Sequence, residues 1–172
     1  MMSHGSKLEI DLPVKLGVVG NGRTKLIVRG ESVASTRDIF VCNMQLNNLT
    51  RKNGLGIFGK SDPYIKISRK FEDGSFTTVW TSQHIMSNLN PLYKNIKISM
   101  LPLCNGDVDK ELAVDVYDYD PQGNHLPMGG FKTTCRELLE SNGKPFTLIE
   151  TAKIGRFMYS NSGTFKCLSS KI

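Results

Sequence analysis

The sequence predicts an all-β sandwich of eight strands with one short helix in a loop. Three observations carry this reading. Eight segments alternate apolar and polar residues with period two, Gly, Asn and Asp turn signals separate them, and a single stretch has helical spacing. In chain order, KLIVRGES (25–32) and DIFVCNMQLNNL (38–49) are rich in β-branched and aromatic residues and flank a polar Ala-Ser-Thr-Arg stretch, as two antiparallel strands would. YIKISRKF (64–71) places Ile65 and Ile67 on one face and Tyr64, Lys66, Ser68 and Lys70 on the other. Glu-Asp-Gly at 72–74 then reads as a hairpin turn into SFTTVWTSQ. YKNIKISM (93–100) sends Ile96, Ile98 and Met100 inward and Tyr93, Asn95 and Lys97 outward. ELAVDVYDYD (111–120) buries Leu112, Val114 and Val116, and MGGFKTTC (128–135) and GTFKCLSSKI (163–172) complete the set. RELLESNG (136–143) is the helix, ending at a Gly suited to a C-cap.

The chain has 172 residues, 39% hydrophobic and 22% charged, which is the composition of one ordinary globular domain. A domain of this length buries roughly 70% of the surface its unfolded chain exposes, so its core suffices without disulfides or a structural metal. Residues 1–23 are polar and Gly-rich and read as a leader or linker, partly flexible, with the domain running from Thr24 to Ile172. No apolar run approaches the ~20 residues that span a bilayer, and the start lacks the apolar stretch of a signal peptide, so an intracellular protein is expected. Cys42, Cys104, Cys135 and Cys167 are far apart and form no CxxC pair, and they read as free thiols.

The net charge is +6, unevenly spread: between Asp107 and Asp120 six acids face one base, leaving the rest of the chain strongly basic. Basic character alone allows nucleic acid, an anionic membrane or a solvated surface. The bases are not clustered with exposed aromatics, which argues against nucleic acid. His4, His84 and His125 sit in no hydrolase or zinc motif, so no enzymatic activity is expected.

Two loops carry the chemistry. The first, RKNGLGIFGKSDPY (51–64), is Gly-rich and basic and delivers Asp62 to the start of a strand. The second, YDYDPQGNHLPMGG (117–130), opens with Asp118 and Asp120, which share the parity of Leu112, Val114 and Val116 and so continue the inward row to the rim of the sandwich. Carboxylates gathered at one rim repel each other unless a cation or basic group lies among them, and hard oxygen ligands suit Ca²⁺, which takes six to eight oxygens. The other reading is that Asp62 caps its Gly-rich turn while Asp118 or Asp120 pairs with Arg51, Lys52 or Lys60.

GKSDPYIKI, SNLNPLYKNIKI and AVDVYDYDPQGNHLPMGGF, in that order, resemble a C2 domain, the calcium and phospholipid module. In finer detail IFGKSDPY, NLNPLYKNIKIS, LCNGD, YDYDPQGNH and YSNSGTFKCLSSKI resemble the second C2 domain of the copine family. The resemblance implies an eight-stranded antiparallel Greek-key sandwich and a fragment excised from a longer chain that would add another C2 domain and a von Willebrand A-like domain.

Calcium-binding C2 domains usually converge five carboxylates. Asp62, Asp118 and Asp120 match three of them, while Gly56 and Leu126 stand at the other two positions, with Asn53 and Asn124 as candidate neutral ligands. Ca²⁺ binding is accordingly expected to be weak or absent, since affinity follows ligand charge. By the same resemblance Ile57, Phe58, Leu126, Pro127 and Met128 are apolar loop tips that insert among lipid headgroups, unless Phe58 and Met128 fold back as core plugs. Tyr64, Lys66, Lys70, Tyr93 and Lys97 form a candidate headgroup-binding strand face, although Pro91 and Tyr93 also read as structural and Trp80 as packing.

The expected function is a non-enzymatic peripheral membrane module, monomeric, docking on anionic phospholipid at the inner face of the plasma membrane with a degenerate calcium site. The alternatives are a fully Ca²⁺-dependent phospholipid switch, or a protein interaction scaffold with a vestigial metal site.

Overall fold

The computed structural model describes the backbone of strands at 6–12 and 24–30 and, in full, residues 36–51 and 61–172. The chain divides into two compact units, Met1–Ala34 and Ser35–Ile172. In the first, β1 (Ser6–Leu12) pairs antiparallel with β2 (Thr24–Gly30), in register from Leu12 opposite Thr24 to Ser6 opposite Gly30. The strand at 24–30 therefore pairs with a segment expected to be a leader and not with the segment at 38–49 that follows it. Its expected neighbour, β3 (Ile39–Asn47), pairs elsewhere.

The second unit is an eight-stranded antiparallel Greek-key sandwich. Beyond β3 it contains β4 (Pro63–Lys70), β5 (Phe76–Thr81), β6 (Leu92–Ser99), β7 (Glu111–Asp118), β8 (Leu126–Thr134), β9 (Pro145–Thr147) and β10 (Thr164–Lys171). One sheet has the order β6-β3-β10-β9 and the other β5-β4-β7-β8. Alternation holds cleanly where a strand has one face on the core. On β3 Phe40, Cys42, Met44 and Leu46 are buried, and on β7 Leu112, Val114, Val116 and Asp118. On β4, the partner of both β5 and β7, burial extends to both faces, including Tyr64, Ser68 and Arg69.

Three departures from the sequence reading have local causes. The strand β9 was not expected, because three residues opening with Pro carry no period, and a Pro is tolerated only at such an edge. The segment after β6 turns into a short helix, α1 (Met100–Cys104), closed by Asn105 in the left-handed region at φ 54, whereas the alternation alone lets the strand run to Met100. The expected helix is α2 (Cys135–Glu140), with a capping box in which the Thr134 hydroxyl accepts from the Glu137 N–H and the Glu137 carboxylate accepts from the Thr134 N–H. It ends at Ser141, before the Gly expected to cap it. All four cysteines are buried and free. No described helix is long and apolar enough to cross a membrane.

Candidate functional site

The start of β4 and the end of β7 lie side by side, with Pro63 opposite Asp118. The Asp62 N–H donates to Asp118 Oδ1 at 2.6 Å, and Tyr119 N–H donates back to the Asp62 carbonyl at 3.0 Å. The side chain of Asp62 then reaches the β5–β6 loop, where its Oδ1 accepts from the Ser87 N–H at 2.6 Å. The structure thus joins Asp62 and Asp118, as their positions at two strand ends imply. Asp120 turns away into its own loop. Its Oδ1 accepts from Gln122 N–H at 2.7 Å, and its N–H donates to His125 Nδ1 at 3.1 Å.

The expected convergence of three carboxylates is not seen: among the described residues no group of three or more His, Cys, Asp or Glu side chains is placed to hold a metal. The physical reason is that strand ends and tight turns leave main-chain N–H groups without ladder partners, and here each carboxylate satisfies one. Ca²⁺ needs six to eight oxygens. Asp62 and Asp118 each have one of two oxygens engaged by a main-chain N–H, Asp120 faces its own loop and Leu126 supplies no oxygen, so the described residues do not by themselves gather that number. Ile57, Phe58, Asn53 and Gly56 lie outside the described residues.

Beneath this rim sits an aromatic cluster that the sequence reading did not assemble. Tyr64, expected on an open face, is buried and stacks on Tyr117 at 5.7 Å between ring centroids, with His125 edge-on at 5.4 Å. His84 of the β5–β6 loop lies flat on Tyr119 at 4.0 Å, so this stack ties that loop to the β7–β8 loop. Lys66 Nζ sits 4.8 Å from the Tyr117 ring centroid. Burial pushes both the Tyr64 and Tyr117 phenols up, the neighbouring Asp115 adding to the rise at Tyr117. Burial likewise pushes the Asp115 carboxyl up, with Lys66 opposing.

The expected lysine and tyrosine face does not exist as one patch. Lys66 and Lys70 belong to the β5-β4-β7-β8 sheet and Lys97 to the β6-β3-β10-β9 sheet, so their outward side chains leave opposite faces of the sandwich. Lys70 is engaged with Glu111 at 3.0 Å, a carboxylate that also holds Lys132 at 2.9 Å. Tyr93 is a core residue whose hydroxyl donates to the Pro63 carbonyl at 2.7 Å. Its inward turn comes from a bulge. Lys94 and Asn95 together oppose Asn43, Asn95 takes φ 55 with its N–H on Asn43 Oδ1 at 2.8 Å, and the parity that would have sent Tyr93 outward reverses.

Of the apolar loop tips, Leu126 is 46% exposed, whereas Met128 is wholly buried and belongs to the core. Met128 is two residues beyond Leu126, but a register shift between Val116 and Tyr117 takes up a residue, so β8 returns to the sheet with Met128 inward. The sequence reading missed Met86, 73% exposed in the β5–β6 loop, whose only signal was the apolar pair Ile85-Met86 between polar neighbours.

The C2 domain family profile matches residues 37–148. Copine-E of Dictyostelium discoideum is 34% identical over 133 residues, covering 77% of this chain and 22% of Copine-E, so the chain spans about a fifth of that relative's length. Among solved structures, BON1-C2B superposes with a TM-score of 0.63 at 20% identity, over 77% of this chain and 90% of that one. A C2 domain of plant Extended Synaptotagmin 1 superposes with a TM-score of 0.51 at 22% identity, over 74% of this chain and 88% of that one. At these identities the two structures bear on the fold.

Proposed function

The chain belongs to the C2 domain family, and from that premise we propose that it is a non-enzymatic peripheral membrane module, the second C2 domain of a copine, that docks on anionic phospholipid with little or no dependence on Ca²⁺. The observation that carries this reading is the character of the rim: Leu126 stands exposed where the family's pattern has an acid, and Asp62 and Asp118 each give one carboxylate oxygen to a main-chain N–H. An apolar tip beside two carboxylates that brace the main chain suits a headgroup region better than a metal cup.

Burying an exposed leucine contributes about 1.5–3 kcal/mol, and each lysine or arginine near an anionic leaflet about 1 kcal/mol at most. A net charge of +6 therefore supplies attraction that is salt-sensitive, while the apolar tip supplies attraction that is not. The cytoplasmic leaflet of the plasma membrane, rich in anionic lipid, is the surface that matches.

Vesicle sedimentation tests the reading. Binding should require phosphatidylserine, fall with added salt, and be the same in EGTA and in Ca²⁺. Equal sedimentation on phosphatidylcholine and phosphatidylserine vesicles overturns the electrostatic account. Sedimentation only with Ca²⁺ overturns the degenerate site in favour of a calcium switch.

A further inference from the structure

We propose that the β9–β10 loop is a second membrane-inserting element, with Phe157 and Met158 entering the acyl boundary of an anionic bilayer and Arg156 meeting lipid phosphate. The inference rests on the membrane reading above and adds residues that neither the motifs nor the family resemblance pointed to.

The loop's base is built into the sandwich. Leu148 N–H donates to the Gly163 carbonyl and Ser162 N–H donates back to the Leu148 carbonyl, at 3.0 and 2.9 Å, while Ile149 and Gly130 exchange two such bonds at 3.0 Å. The Tyr159 hydroxyl closes the loop on itself. It accepts from Glu150 N–H at 2.7 Å and shares a hydrogen bond with the Ser162 hydroxyl at 3.0 Å. Within the loop, consecutive turns run from a 3₁₀ turn (Thr151–Lys153) through Arg156 N–H to the Lys153 carbonyl and Tyr159 N–H to the Arg156 carbonyl. The tip is therefore a preformed shape and loses little freedom on docking.

What that shape presents is apolar. Phe157 is 94% exposed, Met158 88% and Ile154 64%, the most exposed apolar cluster among the described residues. Met158 sits at φ 60, a left-handed conformation that disfavours any residue carrying a Cβ and that Gly would occupy without cost. Neither the exposure nor the strain benefits the folded sandwich, and both are accounted for if the side chains have a use outside it.

The occupant follows from place and charge. Thr50 N–H donates to the Ser162 carbonyl at 3.1 Å, and Thr164 stands opposite Asn47, so the loop rises at the end where β3 leaves its sheet. That is also the end of Asp62, Ser87 and Leu126, since Leu49 N–H and Asn88 N–H bond across to Leu89 and Ser61. Lys153 is held at the loop's stem by Glu150 at 2.8 Å, while Arg156 is exposed between Ile154 and Phe157. An apolar tip interleaved with a cation fits the boundary between acyl chains and phosphates. A second copy of this chain is the poorer occupant, because two molecules that each carry a net charge of +6 repel one another, whereas an anionic bilayer attracts them.

The test uses the whole chain with Phe157→Ser/Met158→Ser, and separately Phe157→Trp. The double variant should keep the wild-type circular dichroism and melting temperature, since its side chains touch solvent, and should lose about tenfold or more in partition onto phosphatidylserine vesicles. The Phe157→Trp variant, read as the difference from the wild-type emission of Trp80, should shift to the blue on those vesicles and be quenched by lipids brominated in the acyl chain. Undiminished binding of the double variant, or a difference emission unmoved by vesicles while the Phe157→Trp protein sediments with them, overturns the loop's role and leaves the membrane function standing. Failure of the wild type itself to bind phosphatidylserine vesicles overturns both. Concentration-dependent dimers abolished by the double variant assign the tip to a second copy and likewise overturn it.

Discussion

The main-chain N–H of Asp62 donates to Asp118 Oδ1 at 2.6 Å, linking the first residue before β4 to the last residue of β7. Asp118 is buried, so this bond replaces water for both partners and holds two loops at one end of the sandwich.

Asp118→Ala should lower the unfolding free energy by about 1–3 kcal/mol, because the Asp62 N–H is left without its acceptor beside a buried strand end. Asp118→Asn keeps an acceptor oxygen and should lose less. Urea unfolding of the two variants measures the difference, and equal losses would mean that charge, not the hydrogen bond, matters there.

Met128→Ala should cost about 2–5 kcal/mol of stability, the range for truncating a fully buried side chain. Leu126→Ser should change stability by less than about 0.5 kcal/mol and weaken vesicle binding instead. Paired melting and sedimentation measurements separate the two neighbours, one in the core and one at the surface.

Tyr93→Phe removes a buried hydroxyl from the Pro63 carbonyl, which still accepts from Ile85 N–H at 3.0 Å. A loss of about 0.5–1.5 kcal/mol is expected in urea unfolding, with vesicle binding unchanged. A selective loss of lipid binding would restore Tyr93 to a lipid-contacting role.

Lys132 and then Lys70 hold the Glu111 carboxyl below its ordinary value of 4.5. A depressed folded value means the ion pairs contribute fully above about that pH and lose their contribution as pH falls through the folded value. Glu111→Gln should therefore narrow the stability difference from wild type as pH drops below 4.5, and the effect should shrink in high salt. Melting curves across acidic pH check both.

Several features were legible from local pattern alone. The core row of β7, the rim position of Asp118, the short helix and the all-β class follow from period two and helical spacing, which neighbouring residues encode without reference to the rest of the fold. The order of GKSDPYIKI, SNLNPLYKNIKI and AVDVYDYDPQGNHLPMGGF carried the family.

Tertiary structure decided the rest. A side chain's direction depends on the register of its strand against a partner distant in sequence, so one bulge opposite Asn43 brought Tyr93 inside and one register shift after Val116 buried Met128. Which sheet a strand joins is equally invisible to its own alternation, and it separated Lys66 from Lys97. Whether a carboxylate faces an ion or an amide is settled by the main chain left unpaired around it, as at Asp62 and Asp120. The exposure of Phe157 and Met158 arises the same way: the loop's base is closed by Leu148, Tyr159 and Ser162, and no described element covers its tip.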